Sequence, residues 1–244
     1  MKSLPKIVHI DSNCRLPFPV TVITCRTASR SNKSLYELGI LVVEDGKEII
    51  NRVIRINPQT RTFTLAKEID NVTFEDVRNE PTFDKIWPEI APYIIGNKNI
   101  VTHYAEFHLN VLFAMMEKYK IEVPDFKLLD IRHISMLLGD ELSDYKFETM
   151  AANYGCNRRE WNTATKIVTI YDILFKLYRE EPQAMEEYVL GRKTNKKAKA
   201  KGISLQKEIL EPINQTASSA NNAGCSVFLV MTIFLVYIIL FYNV

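Results

Sequence analysis

Residues 20–56 read VTVITCRTASRSNKSLYELGILVVEDGKEIINRVIRI, and the reading of this stretch decides the fold. Val20–Thr24 is rich in β-branched residues and alternates weakly, as a strand does. Tyr36–Val43 and Glu48–Ile56 are two further apolar runs. Asp45-Gly46 lies between them, a dipeptide suited to a tight turn with positive φ. The opening is therefore expected to be an antiparallel meander. After Pro81-Thr82 the period changes, and Phe83, Ile86, Trp87, Ile90 and Ile94 fall on one helical face. Pro88 lies inside that pattern and predicts a bend or an end. Asn99–Thr102 reads as a short strand. Phe107, Val111, Leu112, Met115 and Met116 mark a second amphipathic helix, and 126–131 reads as another strand. Helices follow around 146–154 and 162–178. Strands first, then alternating helix and strand, predict an α/β fold with a mixed sheet flanked by helices.

Working outward, residues 18–180 have the composition of one globular domain, long enough to bury a full core. Residues 181–224 read as a basic linker. Arg192, Lys193, Lys196, Lys197, Lys199 and Lys201 crowd one short part of it. Residues 225–242, CSVFLVMTIFLVYIILFY, are eighteen residues without a charge. As a helix they span about 27 Å, close to the ~30 Å hydrocarbon core of a bilayer. They predict a single C-terminal transmembrane anchor. The first residues lack a long apolar run, so no secretory signal is read, and the basic cluster favours a cytoplasmic N-terminal domain. The four cysteines show no paired spacing, which argues for neither a disulfide framework nor a zinc site. A net charge of +2 does not by itself mark a nucleic-acid binder.

Four stretches resemble the DnaQ-like 3′–5′ exonucleases of the DEDD type. Leu38–Gly46 (LGILVVEDG) is similar to that family's "IG…VVEDG". Ile56-Asn57-Pro58, Ile69–Val77, Pro81-Thr82-Phe83 and Trp87–Ile90 are similar to "INP…IHGIT.EDV…PTF…WPEI". Val101–His108 stands where the family has "VAHNASFD", and Asp144–Thr149 with Gly155-Cys156 looks like "SYKLDT…LGI". The resemblance covers 20–178. It implies an RNase H-like fold and two-metal phosphodiester hydrolysis, in which four carboxylates hold two Mg²⁺ ions and a histidine acts as base.

Residue by residue, the resemblance places the family's first acidic pair on Thr24 and Arg26, the next Asp on His108, and the last His and Asp on Trp161 and Lys166. All five positions are substituted, so no catalytic residue and no metal site are assigned. The charge of the expected site is reversed, and Arg26, Lys166 and His103 become candidates for binding phosphate. Asp11, in Val8–Asn13, is a decoy for the first ligand, because using it requires an insertion of thirteen residues before Leu38-Gly39. His103 and His108 around Glu106, with His133 beyond, read as scaffold rather than a metal site.

The leading expectation is a membrane-anchored exonuclease-fold domain without metal-dependent hydrolysis, acting by binding nucleic acid or a protein partner and needing no cofactor. One alternative is an active exonuclease with Mg²⁺ in a rearranged site recruiting Asp11, Glu37, Glu106 or Asp172. The other is a purely structural interaction protein at a membrane.

Overall fold

A computed structural model describes residues 3–95, 99–124 and 127–190. The predicted anchor and residues 191–224 of the predicted linker lie outside them. Among the described residues no helix is long and apolar enough to cross a membrane.

Five strands form one sheet in the order β3-β2-β1-β4-β5. β1 (Val20–Thr27), β2 (Leu35–Glu44) and β3 (Lys47–Arg55) are the antiparallel meander. Asp45 (φ 51°) and Gly46 (φ 71°) make its turn, as the dipeptide predicts. β4 (Asn99–Thr102) and β5 (Lys127–Asp130) add on parallel to β1. The sheet is thus the expected mixed one.

Between β3 and β4 come α1 (Thr64–Asp70), α2 (Phe74–Val77) and α3 (Phe83–Ile94). α4 (Ala105–Tyr119) joins β4 to β5, and α5 (Ile131–Leu138), α6 (Phe147–Asn153), α7 (Thr163–Glu180) and α8 (Pro182–Leu190) follow. α3 corrects one expectation: it runs through Pro88 and also through Pro92. Both prolines are exposed, so the carbonyls that lose their helical partners face water. Phe83, Ile86, Trp87, Ile90 and Ile94 hold the opposite face in the core.

The main core lies between one face of the sheet and α7. Val20, Val22, Leu41 and Val43 meet Ile167, Val168, Ile170, Tyr171 and Leu174, all buried. Each such side chain contributes about 1.5–3 kcal/mol relative to exposure. Gly39 lets α7 come this near, for a Cβ there would stand 2.6 Å from Thr163 Cγ2 and 2.8 Å from Ile167 Cγ2. The core also reaches past the predicted 18–180 domain. Leu16 on one side and Met185, Tyr188 and Val189 on the other are buried in it.

The segment before β1 fastens to the meander without forming a strand. Glu48 accepts hydrogen bonds from the Ile10 N–H (2.6 Å) and His9 Nδ1 (2.7 Å), and Asn51 donates to the Val8 carbonyl (2.8 Å). Asp11 sits in a turn of this segment and accepts from Asn13. It stands outside the lining of the pocket described next.

Candidate functional site

β1 and β4 pair only as far as Val22 and Val101, and then part. The divergence leaves a crevice at the carboxyl ends of two parallel strands, where open α/β sheets place ligands. A pocket of about 430 Å³ opens there. Thr24–Thr27 of β1 line it with Leu65, Ile69 and Asp70 of α1, Tyr104 just before α4, Phe107 and His108 of α4, and Phe147 and Lys166. Of the positions singled out in the sequence, Thr24, Arg26, His103, His108 and Lys166 therefore converge. Trp161 stands just behind, its ring packed edge-on to Phe147 at 5.0 Å.

The local chain explains each placement. Cys25 pairs with Leu38 on one side of β1, but β4 has already turned away on the other. The Cys25 N–H left over donates to His108 Nδ1 at 3.0 Å. That bond fixes the imidazole as an acceptor at Nδ1. Burial pushes the His108 pKa down to about 3, and the neighbouring His103 and Lys166 act in the same direction. His108 is thus a neutral peg between β1 and α4.

Arg26 is held on every side. Its Nε donates to Thr163 Oγ1 (2.9 Å), Nη1 to Asp70 and Nη2 to the Trp161 carbonyl (3.0 Å). Thr163 in turn donates to Glu37. Glu37 also lies 3.8 Å from Arg26 Nε and 3.7 Å from Arg55 Nε, and Tyr36 donates to the other oxygen of Asp70. Burial opposes the guanidinium charge, but Asp70, Tyr36 and Glu37 outweigh it and raise the Arg26 pKa above its ordinary value. The result is a largely buried ion network under the pocket floor. Each guanidinium nitrogen of Arg26, the candidate for a forked phosphate contact, thus already makes a hydrogen bond within the fold.

His103 is likewise engaged within the fold. Its Nε2 donates to the Tyr145 carbonyl at 3.0 Å, and burial lowers its pKa, so it offers phosphate neither a spare donor on that nitrogen nor a charge. Lys166 differs. Among the described residues no carboxylate oxygen lies within ion-pair distance of its ammonium, which rests over the Phe147 ring at 5.4 Å. Burial lowers its pKa, followed by the charge of Arg26, while Glu148 and Asp70 act the other way.

The rearranged acidic site does not assemble. Glu37 is buried below the pocket within its ion network, and Asp172 pairs with Arg158. Glu106 is exposed on α4 and, like Asp11, does not line the pocket. The pocket itself has two carboxylates, Asp70 and Glu148, and both oxygens of Asp70 are engaged. Among the described residues no group of three or more His, Cys, Asp or Glu side chains is placed to hold a metal. Hard divalent ions need several oxygen ligands, so these residues do not fit a Mg²⁺ pair.

Sequence reasoning missed two acidic residues here. Asp70, at the end of α1, clamps Arg26. Asp130, at the end of β5, accepts from the N–H groups of Tyr104 (3.3 Å), Ala105 (2.9 Å) and Arg132 (2.9 Å), capping α5 and tying down the start of α4. Its position just before the apolar helical run of α5 was the available signal.

No family model and no curated protein matches this chain in sequence. Solved structures do match in shape. Exonuclease X in complex with 5′ overhanging duplex DNA aligns with a TM-score of 0.55 at 14% identity, over 71% of this chain and 99% of that one. The nuclease domain of 3′hExo, a DEDDh family member bound to rAMP, aligns at 0.53 and 12%, over 72% and 94%. The fold is RNase H-like, as in these exonucleases. An ExoI/SSB-Ct complex gives 0.59 at 11% identity, with 71% of this chain covering 43% of that one. The expectation of an exonuclease-like α/β fold holds at the level of architecture.

Proposed function

We propose that this chain is an exonuclease-fold module that binds nucleic acid in the crevice between β1 and β4 without metal-dependent hydrolysis. One observation carries the reading. Where the resemblance calls for a metal-gripping carboxylate at the end of β1 stands Arg26, donating to Thr163, Asp70 and Trp161. A guanidinium repels divalent cations and supplies no oxygen ligand. The pocket nevertheless keeps an ammonium, Lys166, and the aromatic residues Tyr104, Phe107 and Phe147. Cations and ring faces together suit phosphates and unstacked bases. Two proteins of similar fold were solved with duplex DNA and with rAMP. The uncharged residues 225–242 and the basic segment before them would hold the domain at a membrane, on its cytoplasmic side.

The test is a digestion and a binding assay on the purified full-length chain in mild detergent. Labelled single strands keep their length with Mg²⁺ or Mn²⁺ as they do with EDTA, and they bind in EDTA. Lys166→Glu weakens that binding. Metal-dependent shortening by the wild type, absent from a mock preparation, would defeat the proposal.

A further inference from the structure

Lys166, which lines this pocket, and Arg132, which stacks behind one of its lining rings, rest on aromatic rings instead of carboxylates. Lys166 Nζ lies over Phe147 at 5.4 Å, and Arg132 Cζ lies over Tyr104 at 4.6 Å. Both rings line the pocket. Among the described residues no carboxylate oxygen lies within ion-pair distance of either cation. By contrast Arg26, Arg52, Arg55, Arg78 and Arg158 each have such a partner. Lys166 and Arg132 both depress the pKa of His103, so they bear on the same imidazole.

The surrounding charges leave these two unopposed at short range. Asp70 is engaged by Arg26 and Tyr36. Asp130 is engaged by three backbone N–H groups. Lys146 pairs with Asp144 at 3.2 Å. Glu148 remains on the rim, exposed, and acts on Lys166 through its charge without forming an ion pair. Tyr104 is 44% exposed and Ile69 65%, so the mouth offers a ring face and an apolar shoulder to a ligand.

We infer that the pocket reads strand ends, preferring a terminus that carries a phosphate monoester to one ending in a hydroxyl. Lys166 holds the terminal phosphate, and the Arg132–Tyr104 stack holds the adjoining nucleotide. This rests on the nucleic-acid reading above. A monoester approaches two negative charges at neutral pH, and charge-assisted hydrogen bonds are about twice as strong as neutral ones. A terminal hydroxyl brings no charge to the ammonium. Lys166 is also a cation whose charge burial and Arg26 disfavour, so an arriving dianion relieves it. The volume, about 430 Å³, lies within the range of small-ligand pockets and leaves room for a terminal nucleotide.

The experiment uses the full-length chain in mild detergent with EDTA, at fixed ionic strength. Three single strands of one sequence are compared by fluorescence anisotropy: 3′-phosphorylated, 5′-phosphorylated and hydroxyl at both ends. One phosphorylated form binds roughly tenfold or more tighter than the hydroxyl form, the scale of one charge-assisted hydrogen bond. Lys166→Gln abolishes that difference and Lys166→Arg keeps it. Arg132→Gln weakens all three strands alike. Equal, measurable affinity for all three overturns the end preference while leaving nucleic-acid binding in place. Absence of binding to any of them overturns both.

Discussion

At the residue scale, Arg26 decides what kind of site this is. Its guanidinium occupies the end of β1 and stands between Asp70 and Glu37, both largely buried. Removing one member of such a network leaves the others uncompensated, which costs about 3–5 kcal/mol. Arg26→Met should therefore lower the free energy of chemical denaturation by that order. Asp70→Asn in the same background should recover part of it, because it removes the stranded charge. A single variant within the error of wild type would dismiss the network as decoration. His108 gives a second prediction. Its pKa is about 3 in the folded chain against an ordinary 6.5. The folded value is depressed, so its contribution is complete above about 6.5. The contribution declines as pH falls toward 3, because only the unfolded chain takes up the proton. The steepest slope is about 1.36 kcal/mol per pH unit. His108→Asn keeps an acceptor for the Cys25 N–H and should flatten stability between pH 6.5 and 4.5 relative to wild type, as followed by urea midpoints.

At the element scale, the approach of α7 to the sheet is set by a single missing side chain. Gly39→Ala places a Cβ 2.6 Å from Thr163 Cγ2 and 2.9 Å from Thr24 Cγ2. Overpacking of this kind costs about 1–3 kcal/mol. Because Thr163 also accepts from Arg26, the loss should come with a changed tryptophan environment at Trp161. Unchanged thermal stability and fluorescence would show that α7 simply moves aside. Asp130→Ala offers an independent check. It removes the acceptor shared by the starts of α4 and α5, and a lost cap costs about 0.5–2 kcal/mol. The elements themselves were legible where periodicity was strong. The meander, Asn99–Thr102 and the buried face of α3 followed from alternation, turn residues and 3.6-residue spacing. The proline signal in α3 misled because it carries no information on which side faces water. α1 and α2, at seven and four residues, are too short for a periodic pattern to show.

At the scale of the whole molecule, the described residues through 190 form the α/β domain that carries the crevice. The eighteen uncharged residues 225–242 lie outside the described residues. The expected outcome is that a tagged full-length chain sediments with membranes and resists alkaline carbonate. Deleting 225–244 should release it to the supernatant. A soluble, uncleaved full-length product would remove the anchor. The tasks proposed here are thus divided along the chain: the described domain carries the crevice, and residues 225–242 are proposed to provide the attachment.

The sequence by itself determined the order of the five strands and of the longer helices α3, α4 and α7, because alternation, helical period and turn residues are local signals. Aligned by the resemblance, it also gives the expectation that threonine, arginine, histidine, tryptophan and lysine replace that family's acids and base. What those substitutes do was decided only by tertiary structure. Arg26 and Asp70 are 44 positions apart, and Arg26 and Thr163 are 137 apart. No local pattern encodes such pairs. Folding brought Arg26 to partners that neutralise it, gave His103 and His108 to the scaffold, and left Lys166 facing an aromatic ring. Whether a cation is free to meet a ligand depends on its neighbours in space, and those are fixed only when the sheet and α7 close over one another.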